Sequence, residues 1–233
     1  MRRSLPFVIV ISVGLITLGS GTMLYRAKRI PVLTIPQDKM APDKDANGEL
    51  HVLGPIDAPV TLEEFGDFQC PPCGVLSGPI SQLEKDYSPR IRVIFRQFPL
   101  PDFHPHAVEA ALASEAAGRQ GRFWEMHDLL YREQSVWSVA PEPRTLFNAY
   151  AGVLGLNLDV FQKDMASDQL KARIAADQER GQTLGVTATP TVFINNRVVP
   201  PPALNVTGLR VAIDAAMKDK GVPDHGASKA KPD

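Results

Sequence analysis

A β-branched run, VTLEEF at residues 60–65, opens directly into DFQCPPC, and both cysteines of the chain, Cys70 and Cys73, fall in that short stretch. Residues 71–87 follow with helical character. Pro71 stands at the first helical position, where a missing N–H costs least. A second β-branched and aromatic run, IRVIFRQF at 91–98, is stopped by Pro99 and Pro101. Strand, helix and strand in so few residues fit a right-handed parallel βαβ unit. That order constrains the fold more than any other feature, because it places the cysteine pair where a strand ends and a helix begins.

The rest of the domain reads mostly as helix. HAVEAALASEAAG (106–118) is alanine-rich and ends at Gly118. FWEMHDLLYREQ (123–134) carries Phe123, Met126, His127, Leu130 and Tyr131 at helical spacing. RTLFNAYAGVLG (144–155), DVFQKDMAS (159–167) and QLKARIAADQERGQTLG (169–185) are further helices. TPTVFINN (189–196) reads as a strand into a turn at Asn195-Asn196, with a short strand at 197–199 and a closing helix at 207–220. The class is α/β, with the helical block at about 101–169 inserted between two flanking pieces, 50–100 and 170–221.

Charge excludes one class of partner. Lys and Arg total 25 against 26 Asp and Glu, a net charge of −1. With no basic-aromatic motif either, nucleic-acid binding is set aside. Two cysteines exclude both a disulfide-dense scaffold and a four-cysteine zinc site. Residues 5–24, LPFVIVISVGLITLGSGTML, carry no charge. Twenty residues at about 1.5 Å each span roughly 30 Å, the thickness of a bilayer core. The run exceeds the roughly 7–15 apolar residues of a cleaved leader. The expected organisation is a signal anchor with one transmembrane helix at 1–30, a Pro- and Asp-rich linker at 31–49, the domain at 50–221 and a disordered tail at 222–233. Basic residues flank both ends of the apolar run, so charge does not orient it.

A two-residue spacer on a first helical turn lets two sulfurs close a disulfide. The unpaired N–H groups at a helix N-terminus favour a thiolate on Cys70, while Cys73, one turn in, is shielded. A lone CxxC is also half a zinc site, and no second cysteine pair completes one here. Four stretches, LEEFGDFQCPPCG, FRQFPLPDFHPHA, GRFWEMHDLLY and GVTATPTVFINN, make the chain resemble the DsbA-like thioredoxin-fold family of thiol-disulfide oxidoreductases, in family order over about residues 50–221. The resemblance implies a thioredoxin fold with an inserted helical subdomain. It also implies a redox-active Cys70–Cys73 pair facing a cis-proline loop at Thr189-Pro190, where substrate backbone pairs.

Glu64 shares strand parity with Val60 and Leu62, so it points to an otherwise apolar face. It also matches a buried acid of that family. Asp67, in the loop before Cys70, is expected to be more exposed and is given no catalytic role. His104 and His106 read as loop or capping histidines, and Phe123 and Trp124 as helical core. Strongly oxidising bacterial members of the family carry His before the second cysteine, where this chain has Pro72. Pro72 withholds a donor, so the Cys70 pKa is expected at about 5–7.

These readings describe an extracytoplasmic enzyme that exchanges disulfides with cysteine-containing proteins. Cys70 attacks, Cys73 resolves and Glu64 accepts the proton. It would sit in the cytoplasmic (inner) membrane as a single-pass protein, with the catalytic domain on the periplasmic side. It would need no cofactor or metal, and a membrane or thiol partner would recycle it. The alternatives are a reductase or isomerase of the same fold, or a metal-binding carrier using Cys70 and Cys73 with His104 or His106.

Overall fold

The computed structural model describes residues 51–222, so the expected anchor, linker and all but the first residue of the tail lie outside the described residues. The first elements are β1 (His51–Leu53), β2 (Val60–Gly66), α1 (Pro71–Tyr87) and β3 (Ile91–Gln97). Then come α2 (Ala107–Gly118), α3 (Phe123–Arg132), α4 (Gln134–Trp137), α5 (Pro143–Val153), α6 (Leu158–Met165) and α7 (Asp168–Thr183). The chain closes with β4 (Thr191–Ile194), β5 (Arg197–Val198) and α8 (Val206–Asp219).

The strands form one sheet in the order β1-β3-β2-β4-β5. β2 and β3 run parallel, Val60 opposite Ile91 through Gly66 opposite Gln97, as the βαβ reading requires. β4 joins β2 antiparallel, with Glu64 opposite Val192. This is the α/β thioredoxin fold, with helices α2 to α6 between its βαβ and ββα halves. β4 turns into β5 through Asn195 and Asn196, both at positive φ, the backbone a tight hairpin demands. The side chain of Asn195 accepts a hydrogen bond from Thr61 N at 2.8 Å and so ties this turn to β2.

β2 and β3 are buried almost throughout, because helices cover both faces of the sheet. On one face, α1 and α8 pack Leu76, Ile80, Leu83, Leu209 and Ile213 over Val60, Leu62, Val192 and Ile194. On the other, α7 approaches Phe65 and Phe98. A Cβ on Gly181 would lie 2.7 Å from the Phe98 ring, so glycine is what lets the helix come so close. A third cluster fills the helical block around Trp137, Phe147 and Phe161, and continues through Phe68 and Phe95 to both cysteines. α2 is buried on all sides, which its alanines permit.

Two features differ from the sequence expectation. β1 was not expected; three residues carry too little pattern to announce a strand, and it forms only by pairing with β3. The helix expected over 123–134 breaks at Glu133 and resumes as α4, whose Gln134 side chain turns back to the cysteine loop. The strand expected to run into the Asn195-Asn196 turn is Thr191–Ile194, with Thr189 and Pro190 in the loop before it, as expected of a cis-proline loop.

A buried ion network bolts α7 to the sheet. Glu63, facing away from α1, accepts from Arg96 at 3.0 Å and from Arg180 at 2.9 Å. Arg96 also donates to Asp177 at 2.8 Å. Removing one member of such a network strands its partners without solvent. Arg96→Met is expected to destabilise the domain by about 3–5 kcal/mol in urea unfolding. Lys171→Ala, which breaks the exposed, solvent-screened pair with Asp168, should leave the unfolding midpoint unchanged within error.

Candidate active site

Cys70 is the residue just before α1, in extended backbone at φ −72° and ψ 117°. Its carbonyl accepts the first amides of the helix, from Cys73 at 3.1 Å and Gly74 at 3.2 Å, and Pro71 occupies the position that needs no donor. The loop before it is held from three directions. Phe68 packs against the rings of Phe95 and Tyr131, at centroid distances of 5.1 and 4.9 Å. Gln134 of α4 donates to the carbonyls of Phe68 and Cys70, at 2.6 and 3.0 Å. Gln69 donates to Ser138 O at 3.0 Å and accepts from His106 N at 2.7 Å.

Asp67 corrects the sequence reading. Expected to be exposed, it is 1 % exposed. Its carboxylate accepts from Gln69 N at 2.7 Å and Leu100 N at 2.9 Å, and pairs with His104 Nδ1 at 2.8 Å. A loop aspartate next to glycine reads as solvated, but here two backbone amides and a histidine replace water. The same contacts place the two histidines: His104 on Asp67, His106 at the start of α2 with its amide on Gln69. Among the described residues no cluster of three His, Cys, Asp or Glu side chains is arranged to hold a metal.

Both cysteines are reduced and buried. The Cys70 thiol donates to the carbonyl of Thr189 at 3.3 Å, so the Thr189-Pro190 loop, whose peptide bond is cis, lies against the sulfur. The Cys70 thiol is lowered to about 6, first by hydrogen bonding from the Cys73 thiol, against burial and the charge of Asp67. That falls in the expected range. The leading cause is the second cysteine, where helix-terminal charge had been expected. Cys73 goes the other way: burial, and a thiol committed to Cys70, push it far up. One sulfur is prepared to be a thiolate and the other to stay protonated.

Glu64 is 2 % exposed, on the α1 face of β2, as its parity requires. Burial, together with the nearby charge of Cys70, pushes its carboxyl up to about 8. Its Oε1 has no hydrogen-bond partner among the described residues. It lines a crevice of about 210 Å³ with Ser77 and Ser81 of α1 and Trp124 and His127 of α3. Trp124 is therefore half-buried at this crevice as well as packed on the core. The structure thus brings Cys70, Cys73, Glu64, Thr189 and Pro190 into one neighbourhood. Sequence reasoning missed Gln69 and Gln134, polar residues whose roles exist only once the helices fold over the loop. It also missed His127, whose helical spacing among aromatics reads as plain core.

The family model described as Thioredoxin matches residues 46–215. A curated relative from Salinispora arenicola, named a Na(+)/H(+) antiporter NhaA, is 41% identical over 184 residues, 79% of this chain and 26% of that protein. The chain thus spans about a quarter of that relative's length. A solved thioredoxin-like oxidoreductase from Silicibacter pomeroyi is 26% identical with TM-score 0.63, covering 79% of this chain and 99% of its own. BdbD from Bacillus subtilis is 23% identical with TM-score 0.66, covering 80% and 97%, and at that identity shares the fold.

The order of causes at Cys70 is testable. In the reduced protein the thiolate should titrate near pH 6, followed by its ultraviolet absorbance. Cys73→Ala removes the largest lowering influence, and the Cys70 midpoint should rise toward the ordinary thiol value of about 8.5. An unchanged midpoint would assign the effect to the helix terminus instead.

Proposed function

The chain belongs to the thioredoxin family, and on that premise we propose that it is a protein thiol-disulfide oxidoreductase of the DsbA-like kind, introducing disulfides into cysteine-containing proteins. The observation that carries this is the placement of its two thiols: Cys70 just before a helix, 3.3 Å from the Thr189 carbonyl of the cis-proline loop, and Cys73 fully buried one turn in, which lowers the first to about 6 and raises the second.

In the oxidising direction a substrate thiolate attacks Cys70 Sγ of the closed Cys70–Cys73 disulfide. The S–S bond breaks and Cys73 leaves as a thiolate that takes a proton from Glu64. A second substrate thiolate then attacks the substrate sulfur of the mixed disulfide. The substrate disulfide forms and Cys70 leaves as a thiolate, which its lowered pKa favours. Re-oxidation runs through a second mixed disulfide, with a disulfide-bearing partner. There Cys73 gives its proton to the Glu64 carboxylate and attacks Cys70, and the partner's thiolate leaves. The Thr189 backbone lies beside Cys70 and suits pairing with an extended substrate segment.

The charge-free run at 5–24 supports a membrane tether, and net oxidation supports a domain outside the cytoplasm, on the periplasmic side of the inner membrane. A membrane or thiol partner would then recycle the pair. The reading is confined to the redox domain, since the antiporter-named relative is matched over 26% of its length.

Two experiments test this. Equilibration in glutathione buffers should give a potential more oxidising than the roughly −270 mV of thioredoxin. A value at or below that figure would make the protein a reductase. For Glu64, the folded carboxyl stays protonated up to about pH 8 while the unfolded one ionises near 4.5. The folded state therefore holds the extra proton, and Glu64 costs stability increasingly as pH rises across that window. Glu64→Gln should stabilise the reduced protein, with a gain that grows from about pH 4.5 to 8 in urea unfolding. It should also slow resolution of a preformed Cys70 mixed disulfide by at least about tenfold. Unaltered resolution from pH 6 to 8 would remove Glu64 from the chemistry.

A further inference from the structure

We propose that His127 is the positioning residue that passes protons between Glu64 and solvent, through the crevice behind α1. The inference rests on the role just given to Glu64 and extends it to the route by which the proton leaves.

A substrate bound over Cys70 and Thr189 covers the front of the site, so a proton released there needs another exit. The crevice supplies one. Ser81, Glu84 and Lys85 line it, eleven or more residues along α1 from Cys70, which is roughly 16 Å of helix. Two residues that line it each carry a buried polar atom with no hydrogen-bond partner among the described residues, Oε1 of Glu64 and Nε2 of His127. At about 210 Å³, with these polar groups, the crevice has room for several waters.

His127 is held in a defined state. Its Nδ1 bonds to Asp128 Oδ1 at 2.9 Å, so Nδ1 carries the hydrogen and Nε2 is left as an acceptor. The ring sits among those of Phe68, Phe95, Trp124 and Tyr131, with centroids between 4.9 and 5.6 Å away. Among these rings the imidazole is the one that carries a basic nitrogen, on a residue lining the crevice. Burial lowers its pKa and keeps it neutral at rest, able to accept. The other charged and titratable groups around it are Asp128 and Tyr131 of α3, Glu64 of β2, Glu84 and Lys85 of α1, and His51 of β1.

The step balances. Cys73 gives its proton to Glu64; Glu64 passes it through crevice water to Nε2; the imidazolium, its Nδ1–H held by Asp128, releases the Nε2 proton to crevice water that exchanges it with bulk past Glu84 and Lys85. His127 ends unchanged, and the path reverses when Cys73 leaves as a thiolate.

The test is resolution of a preformed Cys70 mixed disulfide in the whole protein, from pH 6 to 8. His127→Phe should fold at least as stably as wild type, keep normal Cys70 alkylation, and resolve about tenfold more slowly. Added free imidazole, small enough for the crevice, should restore much of the rate. His127→Gln should show the same loss and carries the test if the Phe variant folds poorly. Joined to Glu64→Gln, neither should slow resolution further. Normal rates in both His127 variants with a slow Glu64→Gln would overturn the relay and leave Glu64 in place. Normal rates in all three would overturn both. Slowing without imidazole rescue would make His127 structural.

Discussion

Strand β2 buries two carboxyl groups in consecutive residues, and the sheet treats them in opposite ways. Glu63 faces α7 and is neutralised by Arg96 and Arg180. Glu64 faces α1 and has no ion-pair partner among the described residues; burial raises it to about 8. An ionised carboxylate in such a place costs several kcal/mol unless paired. The first residue thus fixes architecture by tying a helix to the sheet, while the second stores a proton next to the cysteines. Everything at the site depends on that asymmetry, because it puts a titratable acid rather than a salt bridge behind α1.

The same economy of charge shapes the front of the site. Asp67 is as deeply buried as Glu64, yet it accepts two backbone amides and faces His104, which fixes it as part of the loop. Its negative charge opposes the Cys70 thiolate, and the Cys73 thiol outweighs it. Pro72 supplies no donor at the position before Cys73, so the balance falls largely to Cys73 itself. The pair is then self-tuned: the group that stabilises the Cys70 thiolate is the group that later attacks it.

How much of this could be read from the chain follows from the range of each interaction. The βαβ unit was legible because β-branched and aromatic runs, a proline at a helix start and the position of two cysteines are local. Glu64 was legible through strand parity, since one residue either way would have pointed it at α7. The Glu63–Arg96–Asp177–Arg180 network was not, because its members lie on three elements that meet only in the fold. Gln134 was hidden for the same reason: its amide reaches the carbonyl of Cys70 only once α4 folds over the loop. His127 was hidden by good packing, its ring taken for one more core aromatic at helical spacing.

The charges around Cys70 also explain why an acid so hard to ionise can still serve as a base. Part of what raises Glu64 is the Cys70 thiolate. In a mixed disulfide that sulfur is neutral, so the repulsion is gone and the carboxyl ionises more readily. Cys73 must lose its proton at that stage and no other in the re-oxidation sequence. Glu64 then keeps the proton it took from Cys73 through the closed disulfide, where Cys70 is still uncharged, and returns it when a substrate thiolate displaces Cys73. The covalent state of Cys70 therefore sets the acidity of Glu64, and a carboxyl with a salt-bridge partner, like its neighbour Glu63, could not respond in this way.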